Sequence, residues 1–182
     1  KEKVFFKYED SLISIYPYND LKITVLIDYD NKYIGEQKYS FDFSNDSYLK
    51  EIAPARTFCL YEELVGMRKR GLLKGATLES GLVFLSNVIS KEEIEKLIVL
   101  FKIDSKISYN KNSMILDNKK LRFINEPARH KILDLIGDIS ILGKRIKGHI
   151  VAERIGHRSN YEFIKFLEKN KFIRSISLEN EY

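Results

Sequence analysis

The stretch from Asn125 to Gly143 constrains this chain more than any other, because it combines a helical apolar pattern with three ionisable side chains in one row. Asn125-Glu126-Pro127 reads as a helix opening, with Pro127 in the first turn, where a missing N–H costs little. The helix is expected to run to about Ile141 and to stop at Gly143. Residues four apart share a helical face, so His130, Asp134 and Asp138 form a polar stripe while Ile132, Leu133, Leu135, Ile136 and Ile139 face elsewhere. Ionisable groups are expensive to bury unpaired, so such a helix lays its apolar side on another layer and keeps the stripe solvated, paired or bound. Gly137 stands in mid-helix, where glycine is about 1 kcal/mol worse than alanine, which predicts that something approaches the backbone closely there.

The rest of the chain supplies the second layer. Residues 3–8, 11–16, 22–28 and 36–43 are short and rich in Val, Ile, Phe and Tyr, and turn residues such as Pro17, Asn19, Asp20 and Asn31 separate them. They read as an antiparallel run. A short helix at 47–52 must end before Pro54, and a second at 61–69 ends at Gly71. Ser90-Lys91-Glu92-Glu93 is a capping box opening an amphipathic helix that carries Ile94, Leu97, Ile98 and Phe101. Residues 104–120 are polar and asparagine-rich, as in an irregular or hairpin excursion. Residues 146–152 have strand content, Gly156-His157 breaks it, and Phe163, Ile164, Phe166 and Leu167 mark a helix within 161–168. No repeat or low-complexity linker divides the 182 residues, so one α+β layered domain is expected.

Composition narrows the function classes. A hydrophobic share of 44% with 12% aromatics supports a packed core. The longest apolar stretches, such as Leu97-Ile98-Val99-Leu100-Phe101, fall well short of the roughly 20 residues a spanning helix needs, so no transmembrane segment is expected. A single cysteine, Cys59, leaves no internal disulfide and suits a reducing cytoplasm. The net charge of +5 favours an anionic partner: a nucleic acid, an acidic lipid surface or a phosphorylated small molecule. The densest basic run, Arg68-Lys69-Arg70, is short and lacks interleaved aromatics, so no nucleic-acid face is expected. Lys1-Glu2-Lys3-Val4 has neither an initiator methionine nor a signal-peptide pattern, which reads as a chain cut from something longer.

A neutral imidazole and a carboxylate at i and i+4 can reach one cation, and nitrogen plus oxygen donors suit Zn²⁺. The alternative for His130 and Asp134 is an ion pair on a solvated face, or one that tethers neighbouring elements. Catalytic zinc usually has three protein ligands, so either His149 or His157 completes the set or the third ligand lies outside the chain. His157, expected in a loop, is a surface residue or an imidazolium held by Asp138, acting as general acid or electrostatic stabiliser. His149 has no such context and reads as structural or exposed.

Four stretches together resemble one family. They are Ala55-Arg56-Thr57-Phe58; Arg70-Gly71-Leu72 with Gly75; Leu121-Arg122-Phe123 through Glu126, Arg129-His130-Lys131 and Asp134 to Gly137-Asp138; and Gly156-His157 with Asn160. The resemblance is to the UDP-3-O-acyl-N-acetylglucosamine deacetylases, the zinc amidases of lipid A biosynthesis in Gram-negative bacteria. It covers nearly all of the chain, including Tyr16-Pro17-Tyr18-Asn19, except about 86–118. What resembles the family is its second domain, so the resemblance implies that residues 1–182 form one domain, an α+β two-layer sandwich. A mixed, largely antiparallel sheet would pack on two main helices, with an inserted β-α-β excursion, and about 86–118 would be an enlarged insertion.

The resemblance also implies roles. His130 and Asp134 would be zinc ligands; the third, a histidine of an H-x-x-E-H motif, and the glutamate acting as general base belong to an N-terminal domain with no counterpart here. His157 would be the catalytic histidine, Asp138 its orienting carboxylate and Thr57 an oxyanion stabiliser. Lys131 would serve catalysis and, with Phe58, meet the substrate's nucleotide and sugar. Tyr61, Leu64, Leu73, Leu78 and Val83 would line a passage for the acyl chain, although apolar residues at helical spacing equally read as core. Cys59 departs from the family's usual glycine. The expected whole is a cytoplasmic zinc-dependent deacetylase of UDP-3-O-acyl-N-acetylglucosamine, incomplete without its N-terminal domain. The other reading is a non-catalytic module that binds an anionic or acylated ligand.

Overall fold

In the computed structural model, residues 3–72, 81–101, 107–109, 111–117 and 119–170 are described. Five strands form the main sheet: β1 (Val4–Tyr8), β2 (Ser11–Tyr16), β3 (Leu21–Asp28), β4 (Glu36–Asp42) and β7 (Gly148–Glu153). Their order is β1-β2-β7-β3-β4, so the last strand is inserted between β2 and β3. It runs antiparallel to β2 and parallel to β3, which makes the sheet mixed and otherwise antiparallel. Gly148 opens this strand because a side chain there would meet Ile15 Cγ2 at 2.8 Å.

Strand alternation sends Ile13, Ile23, Val25, Phe41, Ile150 and Ala152 to one face, where all six are buried. Against that face pack α4 (Glu126–Ile139), through Ala128, Ile132, Leu135 and Ile139, and α5 (His157–Lys169), through Phe163, Ile164 and Leu167. Burying each large side chain of this set contributes roughly 1.5–3 kcal/mol. A 3-10 turn at Ser140–Leu142 extends α4, and Gly143, with φ +58°, ends it in a left-handed conformation that glycine adopts without penalty. The result is the two-layer α+β sandwich, with two main helices on a largely antiparallel sheet.

A smaller unit leaves this sandwich after the short helix α1 (Tyr48–Glu51). Strand β5 (Thr57–Leu60), helix α2 (Tyr61–Lys69) and strand β6 (Gly81–Phe84) make a β-α-β unit whose strands pair in parallel. Helix α3 (Lys91–Phe101) follows, and Ser90 and Glu93 cap it reciprocally: Glu93 N–H donates to Ser90 Oγ and Ser90 N–H to Glu93 Oε2. Antiparallel bridges join Phe84 to Ile115 and Tyr109 to Leu116. Leu64 from α2, Val83 and Leu85 from the β6 segment, Leu97 from α3, and Ile107, Met114 and Leu116 share one buried cluster. Helix α3 and the described residues of 107–116 therefore form a wall of a second core. Among the described residues no helix is long and apolar enough to cross a membrane.

Two local expectations change. Helix α5 begins at His157, earlier than the apolar pattern indicated, because Ser159 Oγ accepts the Gly156 N–H and donates to the Gly156 carbonyl, closing the first turn. At Gly137 a Cβ would meet nothing within 4 Å, so no part of the described chain crowds that backbone.

Candidate metal and acid-base site

The site forms where the solvent-facing side of α4 meets the start of α5 and the entry to β5. His130 and Asp134, one turn apart, bring Nε2 and Oδ1 to 3.2 Å, with side chains 12% and 11% exposed. The other imidazole nitrogen of His130 donates its N–H to the Ala55 carbonyl at 3.1 Å, so Nε2 is the nitrogen that faces Asp134. Two ligands at about 2.1 Å from one cation at a tetrahedral angle stand roughly 3.4 Å apart, so this donor pair fits a divalent metal. Burial pushes the Asp134 carboxyl up, but the His130 hydrogen bond and the Lys131 charge outweigh it and hold the group at about 2. It is therefore an anion at any working pH, as a ligand must be. Among the described residues no group of three or more His, Cys, Asp or Glu side chains is placed to hold a metal ion.

His157, the first residue of α5, lies beside this pair. Its Nδ1–H donates to Asp138, at 2.9 Å from Oδ2 and 3.1 Å from Oδ1, and its Nε2 is 3.8 Å from Asp134 Oδ1. The His157 side chain is 72% exposed, so the Asp138 carboxylate is what orients it. The pairing of His157 with Asp138 expected from sequence is present, on a helix rather than a loop. Lys131 Nζ is 3.1 Å from Asp134 Oδ2 and 5.5 Å from the Phe58 ring centroid. Phe58 in turn meets the rings of His130 and Tyr29 edge-on.

Thr57 is exposed on β5, directly opposite Gly81 of β6. Behind it, Arg56 and Arg122 anchor the entry to β5 to the first turn of α4 through the buried Glu126. Tyr61 is half-buried against the second core, whereas Leu64 and Val83 are buried within it; Leu73 and Leu78 lie outside the described residues. His149 is far from this chemistry, on the outer face of the sheet, where its Nε2 is 2.8 Å from Thr24 Oγ1.

Three participants were given no role by the sequence reading, although Ala55 and Asn160 stand in the stretches that carry the resemblance. Ala55 acts through its carbonyl, which carries no residue signature. Tyr29 is the residue just after β3. Asn160 donates to Asp138 Oδ2 at 2.8 Å, and its signal was available: Asn160, Phe163, Ile164 and Leu167 stand at i, i+3, i+4 and i+7, one polar residue on an apolar stripe.

A family model described as UDP-3-O-acyl N-acetylglycosamine deacetylase matches the chain in two segments, 1–97 and 92–169, which join within α3. The bifunctional enzyme LpxC/FabZ of Chlorobaculum tepidum is 37% identical over 169 residues, covering 91% of this chain and 36% of the relative. The UDP-3-O-acyl-N-acetylglucosamine deacetylase of Chlamydia muridarum is 37% identical over 179 residues, 98% of this chain and 52% of the relative. That of Chlamydia caviae is 37% identical over 160 residues, 87% and 48% respectively. The chain thus spans about half the length of the two chlamydial relatives and about a third of the bifunctional one.

Proposed function

Because this chain belongs to the UDP-3-O-acyl-N-acetylglucosamine deacetylase family, we propose that it is the second domain of such an enzyme and supplies part of a zinc-dependent site that removes the N-acetyl group, in the cytoplasm, on the route to lipid A. The observation that carries this reading is the convergence of His130, Asp134, Asp138 and His157 on one side of α4. His130 and Asp134 would hold the zinc, with a histidine of the N-terminal domain as third ligand and a glutamate of that domain as general base. Bound zinc supplies a Lewis acid and lowers the pKa of water, giving a nucleophile near neutral pH.

The chain's own residues do the rest. Asp138 keeps the His157 Nδ1–H occupied, so that Nε2 is the nitrogen facing the site. A protonated His157 stabilises the negative charge that develops on the acetyl carbonyl oxygen and then delivers its proton to the leaving amine. The exposed Thr57 hydroxyl donates to the same oxygen. Lys131 and Phe58 present a cation beside an aromatic face to the nucleotide and sugar, which accounts for a modestly basic protein with an anionic substrate. Tyr61, at the margin of the second core, borders the path proposed for the acyl chain; Leu64 and Val83 back it from within that core.

The test uses the full-length protein, assayed for release of acetate from UDP-3-O-acyl-N-acetylglucosamine together with its bound zinc. His157→Ala should lower kcat at least about 100-fold with zinc retained, and Asp134→Ala should lose both. Activity surviving both substitutions would overturn the proposal.

A further inference from the structure

We infer that Asn160 is a positioning residue that fixes the Asp138 carboxylate and, through it, the orientation and tautomer of His157. Asn160 is wholly buried between α5 and the sandwich core, and its Nδ2 donates to Asp138 Oδ2 at 2.8 Å. Its other amide atom, Oδ1, is the one buried side-chain polar atom among the described residues for which the structure shows no partner. An orphaned buried acceptor costs about 1–3 kcal/mol, so packing alone would favour leucine at this place on the Phe163, Ile164, Leu167 stripe. The amide is explained by the single hydrogen bond that it does make.

That bond matters because the chain of support runs from buried to exposed. Asn160 is 0% exposed, the Asp138 side chain 22% and the His157 side chain 72%. Asp138 holds the exposed imidazole, and Asn160 keeps the carboxylate from turning away from it. With both Asp138 oxygens facing His157 Nδ1, the neutral ring carries its proton there and leaves Nε2 toward Asp134.

This inference deepens the deacetylase reading, and only its kinetic arm rests on that reading. In the full-length protein, Asn160→Leu should keep or raise the melting temperature, since it removes the orphaned acceptor, while kcat falls about 10- to 100-fold with KM in place. In parallel, ¹⁵N NMR of selectively labelled histidine should show neutral His157 as the Nδ1–H tautomer in the wild type and shifted toward Nε2–H in Asn160→Leu. The tautomer change needs no turnover, so seeing it in an inactive protein supports the positioning role while removing the deacetylase reading. Unchanged kcat with an unchanged tautomer overturns the role. Should Asn160→Leu fail to fold, the wild type decides: a His157 found as Nε2–H overturns the inference, and Nδ1–H with slow exchange of the Asn160 amide protons supports it.

Discussion

Arg56 and Glu126, 70 positions apart, meet as a forked pair: Nε is 2.8 Å from Oε1 and Nη2 is 3.1 Å from Oε2 of a carboxylate that is 0% exposed. The same carboxylate accepts the backbone N–H groups of Arg56 and Arg122. Arg56 continues to the Lys120 carbonyl and Arg122 to the Pro54 carbonyl, so the entry to β5 is laced to the approach of α4. This lacing flanks Ala55, whose carbonyl accepts the His130 Nδ1–H, and Thr57, the first residue of β5.

Breaking the pair from either side leaves a buried charge without its partner. Glu126→Ala should therefore lower the unfolding free energy by about 3–5 kcal/mol, read from urea denaturation. A loss below about 1 kcal/mol would show that the lacing is dispensable.

The pH dependence has a definite sign. Burial pushes the Glu126 carboxyl up, but the Arg56 side chain and the backbone N–H donors outweigh it and hold the group below the usual glutamate value. A group lowered in the folded state adds stability that is fully present above the unfolded value, near pH 4.3, and is lost as pH falls through the folded value. Urea midpoints should thus drop on acidification below about pH 5, and Glu126→Gln should flatten that drop.

Gly81 leaves room for Thr57. A Cβ there would lie 3.0 Å from Thr57 Cγ2 and 3.2 Å from the Thr57 carbonyl oxygen. Gly81→Ala should destabilise by about 1–3 kcal/mol and displace the Thr57 side chain, checked by thermal melts and a crystal structure of the variant. A fully retained Thr57 rotamer would show that the strand pair spreads instead.

Cys59 is shielded. Burial, and next the Glu63 charge, push its thiol up to about 12. Since the thiolate is the reactive form, native protein should react with a thiol reagent at neutral pH far more slowly than the urea-unfolded chain. Equal rates would place the thiol in open solvent.

Leu97 tests whether α3 is integral to the fold. It is 1% exposed and packs with Leu64 and Val83. Leu97→Ala should cost about 2–5 kcal/mol by urea denaturation, whereas a surface appendage would tolerate it.

The amino-acid sequence by itself determined what depends on near neighbours. Strand-like composition located the five strands of the main sheet within a residue or two, Ser90 and Glu93 announced the start of α3, and four-residue spacing put His130, Asp134 and Asp138 on one face of α4. These are local because hydrogen bonds and side-chain periodicity act over a few residues. The insertion of β7 between β2 and β3 was not legible, since strand partners are chosen by burial across the whole sheet. Nor could spacing place His157 on Asp138, the Ala55 carbonyl on His130, or Arg56 on Glu126. Leu64 and Val83 read equally as passage or core, and only the assembled layers show them buried in one cluster with Leu97. Asn160 stood on its apolar stripe as an anomaly whose meaning waited for Asp138 to arrive from another helix. Contacts between elements are made by packing, and packing is a property of the assembled layers.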